Sequence, residues 1–459
     1  MTSLHPGHSP YQGYVYAYPH KTAYRPLGPP PPLRDAWAAE DRSALFLYLH
    51  VPFCEMRCGF CNLFTRTGGG EGLTGAYLDA LDRQARAVAA ALGPATFAAA
   101  AFGGGTPTYL TAGELDRLCD VASRFADLAA IPLGVETSPA TATPDRLAVL
   151  KDRGATRVSI GVQSFLDAEA HAAGRPQKRA EAEGALGAIR RAGFATLNID
   201  LIYGIAGQTA ATWRHSLDAA LAWAPEEVYL YPLYVRPLTG LGRRSLAGLG
   251  GGPGGPGDPA DQRLGLYRDG RDHLLAAGYE QVSMRMFRRR VGVGGAGAAA
   301  GAAAGTGTDA GVEYQCQDDG MIGLGCGARS YTSALHYSFE YAVEVGQVRR
   351  IIDDYVATED FSSALVGFGL DDDERRRRYL IQSLLQAGGA DRAAYRARFG
   401  TDPLDDFGRD LTRFADAGWS QASADRIRLT AEGLAWSDAI GPALFSPRVR
   451  ALMDGYRPQ

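Results

Sequence analysis

The sequence predicts an α/β fold: a partial barrel of six parallel strand–helix units, followed by a smaller helical domain. Three observations lead to this prediction. Short apolar runs alternate regularly with longer helical stretches rich in Ala and Leu, which is typical of parallel βα units. Six such units occur, whereas a closed barrel of this type has about eight. A chain of 459 residues, 46% of them hydrophobic, has room for one large domain and one small one.

The predicted strands follow one another through the first half of the chain. They are the apolar runs at 44–51, 97–102, 132–137, 157–163, 196–203 and 227–235. The clearest predicted helices between them are 74–92 and 178–192. In parallel barrels the chemistry lies at the C-terminal ends of the strands. The motifs that end these strands are therefore the first candidates for a functional site.

The chain divides into four predicted segments. They are an aromatic and basic N-terminal extension (1–40), the barrel core (41–245), a stretch that completes the barrel (246–345) and a C-terminal helical domain (346–459). Two low-complexity stretches, at 248–259 and 291–311, contain too few large apolar side chains to offset the entropy of ordering, so we expect mobile loops. The second is either an active-site lid or a neutral expansion of Gly and Ala.

The loop after the first strand carries the strongest chemical signal. Cys54, Cys58 and Cys61 stand at a spacing of C-x3-C-x2-C. Each thiolate can bind one corner of a cubane iron–sulfur cluster, which leaves the fourth iron without a protein ligand. A zinc site would need a further ligand, and His50 is the nearest histidine. A disulfide would leave one thiol unpaired, and the chain shows no secretory signal.

This cysteine loop resembles that of radical S-adenosylmethionine (radical SAM) enzymes. The preceding YLHVPF at 48–53 narrows the resemblance to the group of oxygen-independent coproporphyrinogen III oxidase. The further motifs of that group follow in order: FGGGTPTYL at 102–110, VETSPATAT at 135–143, RVSIGVQSF at 157–165, GRPQ at 174–177 and IDLIYGIAGQT at 199–209. The resemblance is strong over 41–240. It is weaker at 322–331 and at 374–446, where helices closed by a β-ribbon resemble a winged-helix-like domain.

The resemblance implies a [4Fe-4S] cluster and S-adenosyl-L-methionine (SAM) as cofactors. Cys54, Cys58 and Cys61 would bind the cluster, whose open iron would hold the amino and carboxylate groups of SAM. Reductive cleavage of SAM would then yield a 5′-deoxyadenosyl radical. The other implied SAM contacts are aromatic residues, a glycine-rich turn, and polar or charged residues at strand ends: Tyr48, Phe60, Gly103, Gly104, Gly105, Thr106, Glu136, Gln163, Arg175, Asp200 and Tyr231.

Some of these residues have a specific implied role. The turn Gly103–Thr106 supplies main chain that a bulky Cβ would block. Asp200 would bind the ribose hydroxyls, and Arg175 would bind the methionine carboxylate. Structural roles remain open as alternatives, because Asp200 could cap a helix, Glu136 could pair with a lysine, and tyrosines in barrel strands usually pack in the core.

The N-terminal segment is the candidate for substrate recognition. We expect an extended strand here, with alternate tyrosines on one face and basic residues nearby: Tyr14, Tyr16, Tyr18, His20, Lys21, Tyr24 and Arg25. Such a strand would hold a flat, carboxylate-bearing ligand such as a porphyrinogen, with Lys21 or Arg25 on its anionic group. Alternatively, it packs over the barrel mouth and its basic residues form surface ion pairs.

Two departures from the resemblance bear on the substrate. The N-terminal extension differs from that of coproporphyrinogen oxidases proper. At 313–320 the chain has EYQCQDDG, where haem-trafficking relatives have an Asn-x-x-Tyr-Trp element, and this argues against haem binding. Cys119, Cys316 and Cys326 are too few for an auxiliary cluster, so we expect buried free thiols.

We therefore expect a cytoplasmic radical SAM oxidoreductase that acts on a tetrapyrrole or another carboxylated metabolite by hydrogen abstraction. Its expected partners are a small-molecule substrate and a reductant such as flavodoxin or ferredoxin. The alternatives are a radical methyltransferase or cyclopropanating enzyme that uses a second SAM, and a haem-binding chaperone that retains the cluster.

Charge and hydropathy limit the other partners. A formal charge of −4 gives no electrostatic reason to expect nucleic acid, and the C-terminal segment is acidic. The RRRR run at 375–378, beside DDDE, is predicted to be a solvated helix face. No apolar run reaches the roughly 18 residues that a membrane span needs.

Overall fold

A computed structural model describes residues 9–69, 72–246, 261–290 and 320–456. The two glycine-rich stretches at 248–259 and 291–311 lie outside the described residues, and so does Cys316. The predictions made for these parts of the chain stay predictions.

The strands of the described residues are short outside the barrel and longer within it. They are β1 (Arg25–Pro26), β2 (Leu45–Val51), β3 (Phe53–Cys54), β4 (Arg66–Thr67), β5 (Phe97–Gly104), β6 (Leu133–Thr137), β7 (Arg157–Gln163), β8 (Thr196–Tyr203), β9 (Glu227–Pro232), β10 (Tyr279–Gln281), β11 (Met286–Arg289), β12 (Met321–Leu324), β13 (Arg329–Tyr331), β14 (Leu335–Ser338), β15 (Val366–Gly369), β16 (Ala390–Asp391), β17 (Ser420–Ala422) and β18 (Arg426–Leu429).

The helices connect these strands and form most of the C-terminal part. They are α1 (Leu33–Trp37), α2 (Leu73–Leu92), α3 (Ala112–Ala122), α4 (Pro144–Asp152), α5 (Asp167–Ala172), α6 (Arg179–Ala192), α7 (Ala210–Leu221), α8 (Gly240–Leu246), α9 (Arg263–Ala276), α10 (Val345–Ala357), α11 (Asp372–Leu384), α12 (Arg392–Phe399), α13 (Pro403–Asp416), α14 (Ala431–Ala435), α15 (Ser437–Ala443) and α16 (Pro447–Asp454).

One large sheet contains all six predicted barrel strands. Its order is β1-β15-β14-β13-β12-β2-β5-β6-β7-β8-β9-β11-β10, and the run from β2 to β9 is parallel throughout. The predicted α/β partial barrel is confirmed, and the helices predicted at 74–92 and 178–192 correspond to α2 and α6. The sequence did not show that β12 adds a seventh parallel strand beside β2, or that antiparallel strands extend both edges.

The two faces of the sheet differ in character. Along β2, Leu45, Leu47, Leu49 and Val51 belong to the main hydrophobic core, as do the buried residues of α2. Alternate residues of the same strand, such as Tyr48, lie on the opposite face because side chains alternate along a strand. The helices therefore cover one face, and the other face encloses the barrel interior.

The barrel interior is not filled by side chains. Glu136 lies in the middle of the sheet between the buried residues Val135 and Thr137, and yet its side chain is exposed. Tyr14 is 37% exposed although its ring lies 3.8 Å from the guanidinium of Arg285, which is buried. Side chains that are deep in the molecule but accessible must face an internal space, and this space is available to ligands.

The C-terminal part joins the barrel through the large sheet. That sheet reaches Gly369, beyond the predicted border at 345, and the division of the chain into domains stays a prediction. After it, α11 to α13 pack with the three-stranded sheet β16-β18-β17, in agreement with the predicted helical domain. No helix among the described residues has the length and apolar character to cross a membrane.

The arginine run of α11 is only partly the solvated face that the sequence predicts. Arg375 and Arg377 pair with Asp372 and Asp373 on the same helix. Arg378 is 1% exposed, and it donates hydrogen bonds to the Thr332 carbonyl and to the His336 ring. The prediction is wrong at this position, because one side of the helix packs against the barrel sheet.

Candidate functional site

The cysteine loop is fixed to the barrel on two sides. Cys54 ends β3, which pairs with β4, and the Cys61 N–H donates to the Cys58 carbonyl at 3.0 Å. The Gly59 N–H donates to the Gly174 carbonyl at 3.0 Å. A Cβ at Gly59 would lie 2.8 Å from the carbonyl oxygen of Ala173, which precedes Gly174, so only glycine fits this contact. The loop is therefore held in place by its own backbone.

Each of the three sulfurs has a hydrogen-bonding neighbour. The Thr106 hydroxyl donates to Cys54 Sγ at 3.5 Å, and Arg175 Nη1 donates to Cys58 Sγ at 3.5 Å. The Cys61 sulfur lies 3.7 Å from the Thr65 hydroxyl. Hydrogen bonds to sulfur change the reduction potential of iron–sulfur clusters, and they favour the thiolate form of cysteine over the thiol.

Burial favours the neutral form of two of these thiols. It raises the pKa of Cys54 to about 12 and raises the pKa of Cys58, whereas a bound cationic centre would favour their thiolate forms. Among the described residues, no three His, Cys, Asp or Glu side chains gather closely enough to hold a single metal ion. In a cubane cluster each thiolate binds a different iron, so its sulfurs lie farther apart. Three thiols on one loop fit such a cluster with one open iron.

The predicted glycine turn packs directly against this loop. Gly104 has a φ of 112°, and a Cβ there would lie 2.5 Å from the His50 ring. A Cβ at Gly105 would lie 2.6 Å from the Phe53 carbonyl and 3.0 Å from Cys54 Sγ. The glycines thus allow close packing of the turn on the cysteine loop, besides the access to main chain that the sequence indicated.

We expect Gly105→Ala to destabilise the fold by about 1–3 kcal/mol and to lower the iron that the protein retains. The added methyl overlaps backbone and the Cys54 sulfur, so the loop must shift. Iron content per chain after anaerobic reconstitution measures the effect. Gly113→Ala is the matched control, because that glycine lies in α3 with open space around its Cα. Equal iron content in the two variants would contradict this account.

Two carboxylates face the barrel interior from neighbouring parts of the sheet. Glu136 on β6 accepts the Gly104 N–H at 3.1 Å, and Asp200 on β8 accepts the Asn198 side-chain N–H at 2.7 Å. Within the described chain Glu136 pairs with no lysine, and Asp200 lies inside a strand rather than at a helix end. The two structural alternatives for these residues are therefore wrong.

The low hydration of the barrel interior controls the ionisation of both groups, although Glu136 keeps accessible surface there. It raises the pKa of Glu136 to about 7, with a further contribution from the negative charge of Asp200. Burial also raises the pKa of Asp200 to about 6, although the Asn198 hydrogen bond and Arg157 oppose the shift. Two carboxyl groups with raised pKa values in an accessible interior are suited to a cationic ligand, because a nearby positive charge favours their ionised forms.

Gln163 and Arg175 lie at the same end of the barrel. Gln163 ends β7 with a φ of 70°, a left-handed conformation that costs energy for a residue other than glycine and that often marks a functional site. Arg175 is 8% exposed, and its Nε donates to Gln177 Oε1 at 2.6 Å. Gln177 in turn donates to the Val162 carbonyl. The guanidinium is thus fixed beside Cys58.

The three predicted aromatic contacts are also close to this site. Tyr231 stacks on Tyr229 with ring centroids 5.9 Å apart, and it meets the Tyr14 ring edge-on at 6.4 Å. Phe60 packs in a small apolar cluster with Tyr231. The Tyr48 hydroxyl lies 3.4 Å from His50 Nδ1. These contacts place Tyr231 beside Tyr14 and Phe60, and Tyr48 beside His50; the shared role of the predicted site residues stays a prediction.

The N-terminal segment does not form the extended strand that the sequence predicts. Among its described residues, from Ser9 onward, Arg25–Pro26 is the only strand, and a 3-10 turn at Lys21–Ala23 precedes it. Tyr14 contacts the barrel interior, whereas Tyr18 is buried elsewhere, donating to the Glu374 carboxylate and accepting the Ser446 N–H. The alternation fails because irregular backbone does not keep a two-residue period.

Arg25 is used by the fold rather than by a ligand or a surface ion pair. Its guanidinium donates to the backbone carbonyls of Thr22, Tyr24 and Leu452. The alternative of surface ion pairs is also wrong for Lys21, whose ammonium lies 3.6 Å from the centroid of the Tyr341 ring.

Sequence reasoning missed three charged residues of the interior. Arg329 lies on β13, and Arg285 forms a buried ion pair with Asp438 at 2.5 Å. These residues come from distant parts of the chain and stand in no local pattern. The sole hint was the motif at 322–331, which contains Arg329.

Two profiles of known protein families match this chain. The profile of the Radical SAM superfamily matches residues 48–220, and that of the HemN C-terminal domain matches residues 370–436. The chain therefore resembles radical SAM proteins of the coproporphyrinogen III oxidase-like group. This resemblance implies a [4Fe-4S] cluster and SAM, and the thiol loop and the interior carboxylates described above fit both.

Individual relatives fall into two functional classes. The heme chaperone HemW of Bacillus subtilis is 33% identical over 42% of this chain and 51% of its own length. The oxygen-independent coproporphyrinogen III oxidase of Pseudomonas aeruginosa is 27% identical over 85% of this chain and 83% of its own. The chain thus spans about half the length of the chaperone.

A solved structure shows the same fold over nearly the whole chain. Coproporphyrinogen III oxidase (HemN) from Escherichia coli is 23% identical, has a TM-score of 0.76, and covers 94% of this chain and 96% of its own. At this identity the likeness establishes the fold alone. The reaction must be argued from the site.

Proposed function

We propose that this protein is a radical SAM oxidoreductase that abstracts hydrogen from a tetrapyrrole or another carboxylated metabolite in the barrel interior. The observation that carries the proposal is the accessible interior itself, with the three thiols at its end and Glu136 exposed within it. When bound, the cluster and SAM would supply the radical that starts the reaction. A flavodoxin or ferredoxin is the proposed source of the electron.

The chain's own residues bind, orient and shield. Cys54, Cys58 and Cys61 hold the cluster. We infer that Arg175 binds the carboxylate of SAM and Asp200 its ribose, because both lie fixed beside the interior. The remaining contacts come from the other predicted site residues: Tyr48, Phe60, Gly103, Gly104, Gly105, Thr106, Glu136, Gln163 and Tyr231. The ring of Tyr14 covers Tyr231 and limits the access of water.

We expect Asp200→Ala and Arg175→Ala each to weaken SAM binding by about 1.5–3 kcal/mol, which is the worth of a charge-assisted hydrogen bond. Anaerobic calorimetry on the cluster-loaded protein measures the affinity, and iron analysis shows that the cluster is retained. Arg179→Ala is the control, since that arginine pairs with Glu183 on the exposed face of α6. Unchanged affinity in both site variants would assign these residues a structural role.

We expect SAM binding to weaken as the pH falls through about 7. SAM carries positive charge, and the fraction of Glu136 that is ionised decreases below its raised pKa of about 7. If the neutral acid does not bind, the affinity at about pH 6 is about tenfold lower than at about pH 8. Glu136→Gln should flatten this profile, while any titration of SAM itself persists in the variant. A profile that is identical in wild type and variant would exclude Glu136 from the contact.

Product analysis tests the proposed reaction against the two alternatives. Reduced protein is incubated anaerobically with SAM, with and without coproporphyrinogen III. We expect 5′-deoxyadenosine, and more of it with substrate. Formation of S-adenosylhomocysteine would indicate a methyltransferase. A Soret band that saturates at one haem per chain, without deoxyadenosine, would favour the chaperone function of the HemW relatives.

A further inference from the structure

The charges of the barrel interior are separated between its two sides. The carboxylates Glu136 and Asp200 lie on β6 and β8, near the middle of the large sheet. On the other side, Arg329 of β13 and Lys21 of the N-terminal segment come together. SAM, which is cationic, is expected beside the carboxylates. The basic side is then left for another ligand.

The two cations lie near the same aromatic ring, that of Tyr16. Arg329 is centred 4.8 Å from the centroid of the Tyr16 ring, and its Nη1 donates to the Tyr16 hydroxyl at 3.3 Å. The ammonium of Lys21 is 5.6 Å from the same centroid. Arg329 Nε donates to the Tyr331 hydroxyl at 2.9 Å, which fixes the guanidinium plane.

No carboxylate of the described residues balances these charges. The titratable groups that act on Lys21 are Arg329 and the Cys61 thiol, and those that act on Arg329 are chiefly phenols. Burial, and then the charge of Arg329, holds the pKa of Lys21 well below its usual range. Buried cations without a counter-ion are costly. Lys21 and Arg329 nevertheless keep accessible surface, so a ligand can reach them.

Two other interior arginines already have a carboxylate partner. Arg285 is paired with Asp438, although its Nε makes no hydrogen bond, and Arg157 is paired with Glu227 at 2.8 Å. Lys21 Nζ and Arg329 Nη2 form no hydrogen bond within the part of the chain that the structure describes, and neither side chain has a carboxylate partner there. They are therefore available donors for an anion.

We propose that Lys21 and Arg329 form a subsite for a carboxylate group of the substrate, with the Tyr16 ring beneath its hydrocarbon part. This inference rests on the proposed function and identifies the residues that recognise the acidic group. Tyr341 joins the subsite to the cysteine loop, because its ring contacts Lys21 and its hydroxyl donates to the Asn62 carbonyl at 3.3 Å. A carboxylate held here would lie on the side of the interior that borders Asn62 of the cysteine loop.

The subsite also has an adjoining cavity that can take a large ligand. A cavity of about 610 Å³ is lined by Tyr14, His20, Asn62, Arg236 and Tyr341, among others. Its volume is within the range of small-molecule sites. Tyr14 lines this cavity and also meets Tyr231 in the barrel interior. A flat polycarboxylate can therefore extend from the subsite into this cavity.

The test uses coproporphyrin III, a stable tetracarboxylate, and its uncharged tetramethyl ester. Each is titrated by absorbance into full-length, cluster-loaded protein under anaerobic conditions. We expect the acid to bind at least a hundredfold more tightly than the ester. Lys21→Gln and Arg329→Gln should each raise the Kd of the acid at least tenfold and leave SAM affinity unchanged. Lys151→Gln, on the exposed face of α4, is the matched control.

Several outcomes would overturn the subsite. The first is an unchanged Kd in both variants, and the second is equal binding of acid and ester. The third is that wild type binds neither coproporphyrin III nor citrate, which serves as a second, smaller carboxylate ligand. If both variants bind the acid normally while deoxyadenosine still forms, the proposed function stands without this subsite. If only citrate binds, and the variants lose it, the subsite stands and the tetrapyrrole substrate is rejected. Should Arg329→Gln fail to fold, Lys21→Gln in the irregular N-terminal segment decides the outcome.

Discussion

Replacement of Cys54, Cys58 or Cys61 by Ala is expected to remove the iron–sulfur absorbance and SAM cleavage together. Each thiol would be the sole protein ligand of one iron, so its loss would open a second iron and release the cluster. We expect iron content to fall to near background in each variant. Iron analysis, the visible spectrum and deoxyadenosine formation measure the three consequences.

The remaining described cysteines provide the controls for this experiment. Cys119 is buried in α3, and Cys326 is buried near Tyr77, both as free thiols away from the loop. Cys119→Ala and Cys326→Ala should keep wild-type iron content. Full iron content in a variant of Cys54, Cys58 or Cys61 would be incompatible with the cluster assignment.

Asp438→Ala is expected to lower the free energy of unfolding by about 3–5 kcal/mol. Asp438 and Arg285 form an ion pair whose side chains are 2% and 7% exposed. Truncation of the acid leaves a buried guanidinium without a counter-charge, which is among the costliest single changes in a protein interior. The Tyr234 hydroxyl, which donates to Asp438 at 2.5 Å, also loses its acceptor. Denaturant unfolding followed by circular dichroism measures the loss.

An exposed ion pair and a double substitution complete this test. Asp354→Ala removes one of the two carboxylate partners of Arg350 on the protein surface, the other being Glu340, and should cost less than about 1 kcal/mol. The double variant Arg285→Met/Asp438→Leu should recover much of the lost stability, because no charge is then left unpaired. A loss for Asp438→Ala as small as that for Asp354→Ala would show that water or another group solvates Arg285.

Local patterns explain what the sequence could predict. The six barrel strands and the helices α2 and α6 were predicted within a few residues, since apolar periodicity is a property of neighbouring residues. The site residues were found because the family motifs end these strands. In contrast, the ion pair of Arg285 with Asp438 joins residues far apart in the chain, and no local pattern encodes such a contact. The same limit explains why the burial of Arg378 was missed.

The N-terminal segment shows a second limit. Its alternating tyrosines predicted a strand, but the partners that decide its path lie in the C-terminal helices. Tyr18 bonds to Glu374 and Ser446, and Arg25 bonds to the carbonyl of Leu452. A period-two pattern without a neighbouring strand does not produce a strand, because isolated strands have no partner for their backbone groups.

The contact between Arg25 and Leu452 has a consequence for the order of synthesis. Residues near the start of this sequence are held in place by residues near its end, so this segment cannot dock until Leu452 has been made. Until then the mouth of the barrel stays open. The contacts of Cys54 with Thr106 and of Gly59 with Gly174 can already form, whereas those of the cysteine loop with Tyr341 and Val343 come later. The loop and the substrate-binding end of the molecule are therefore both completed by residues far along the chain.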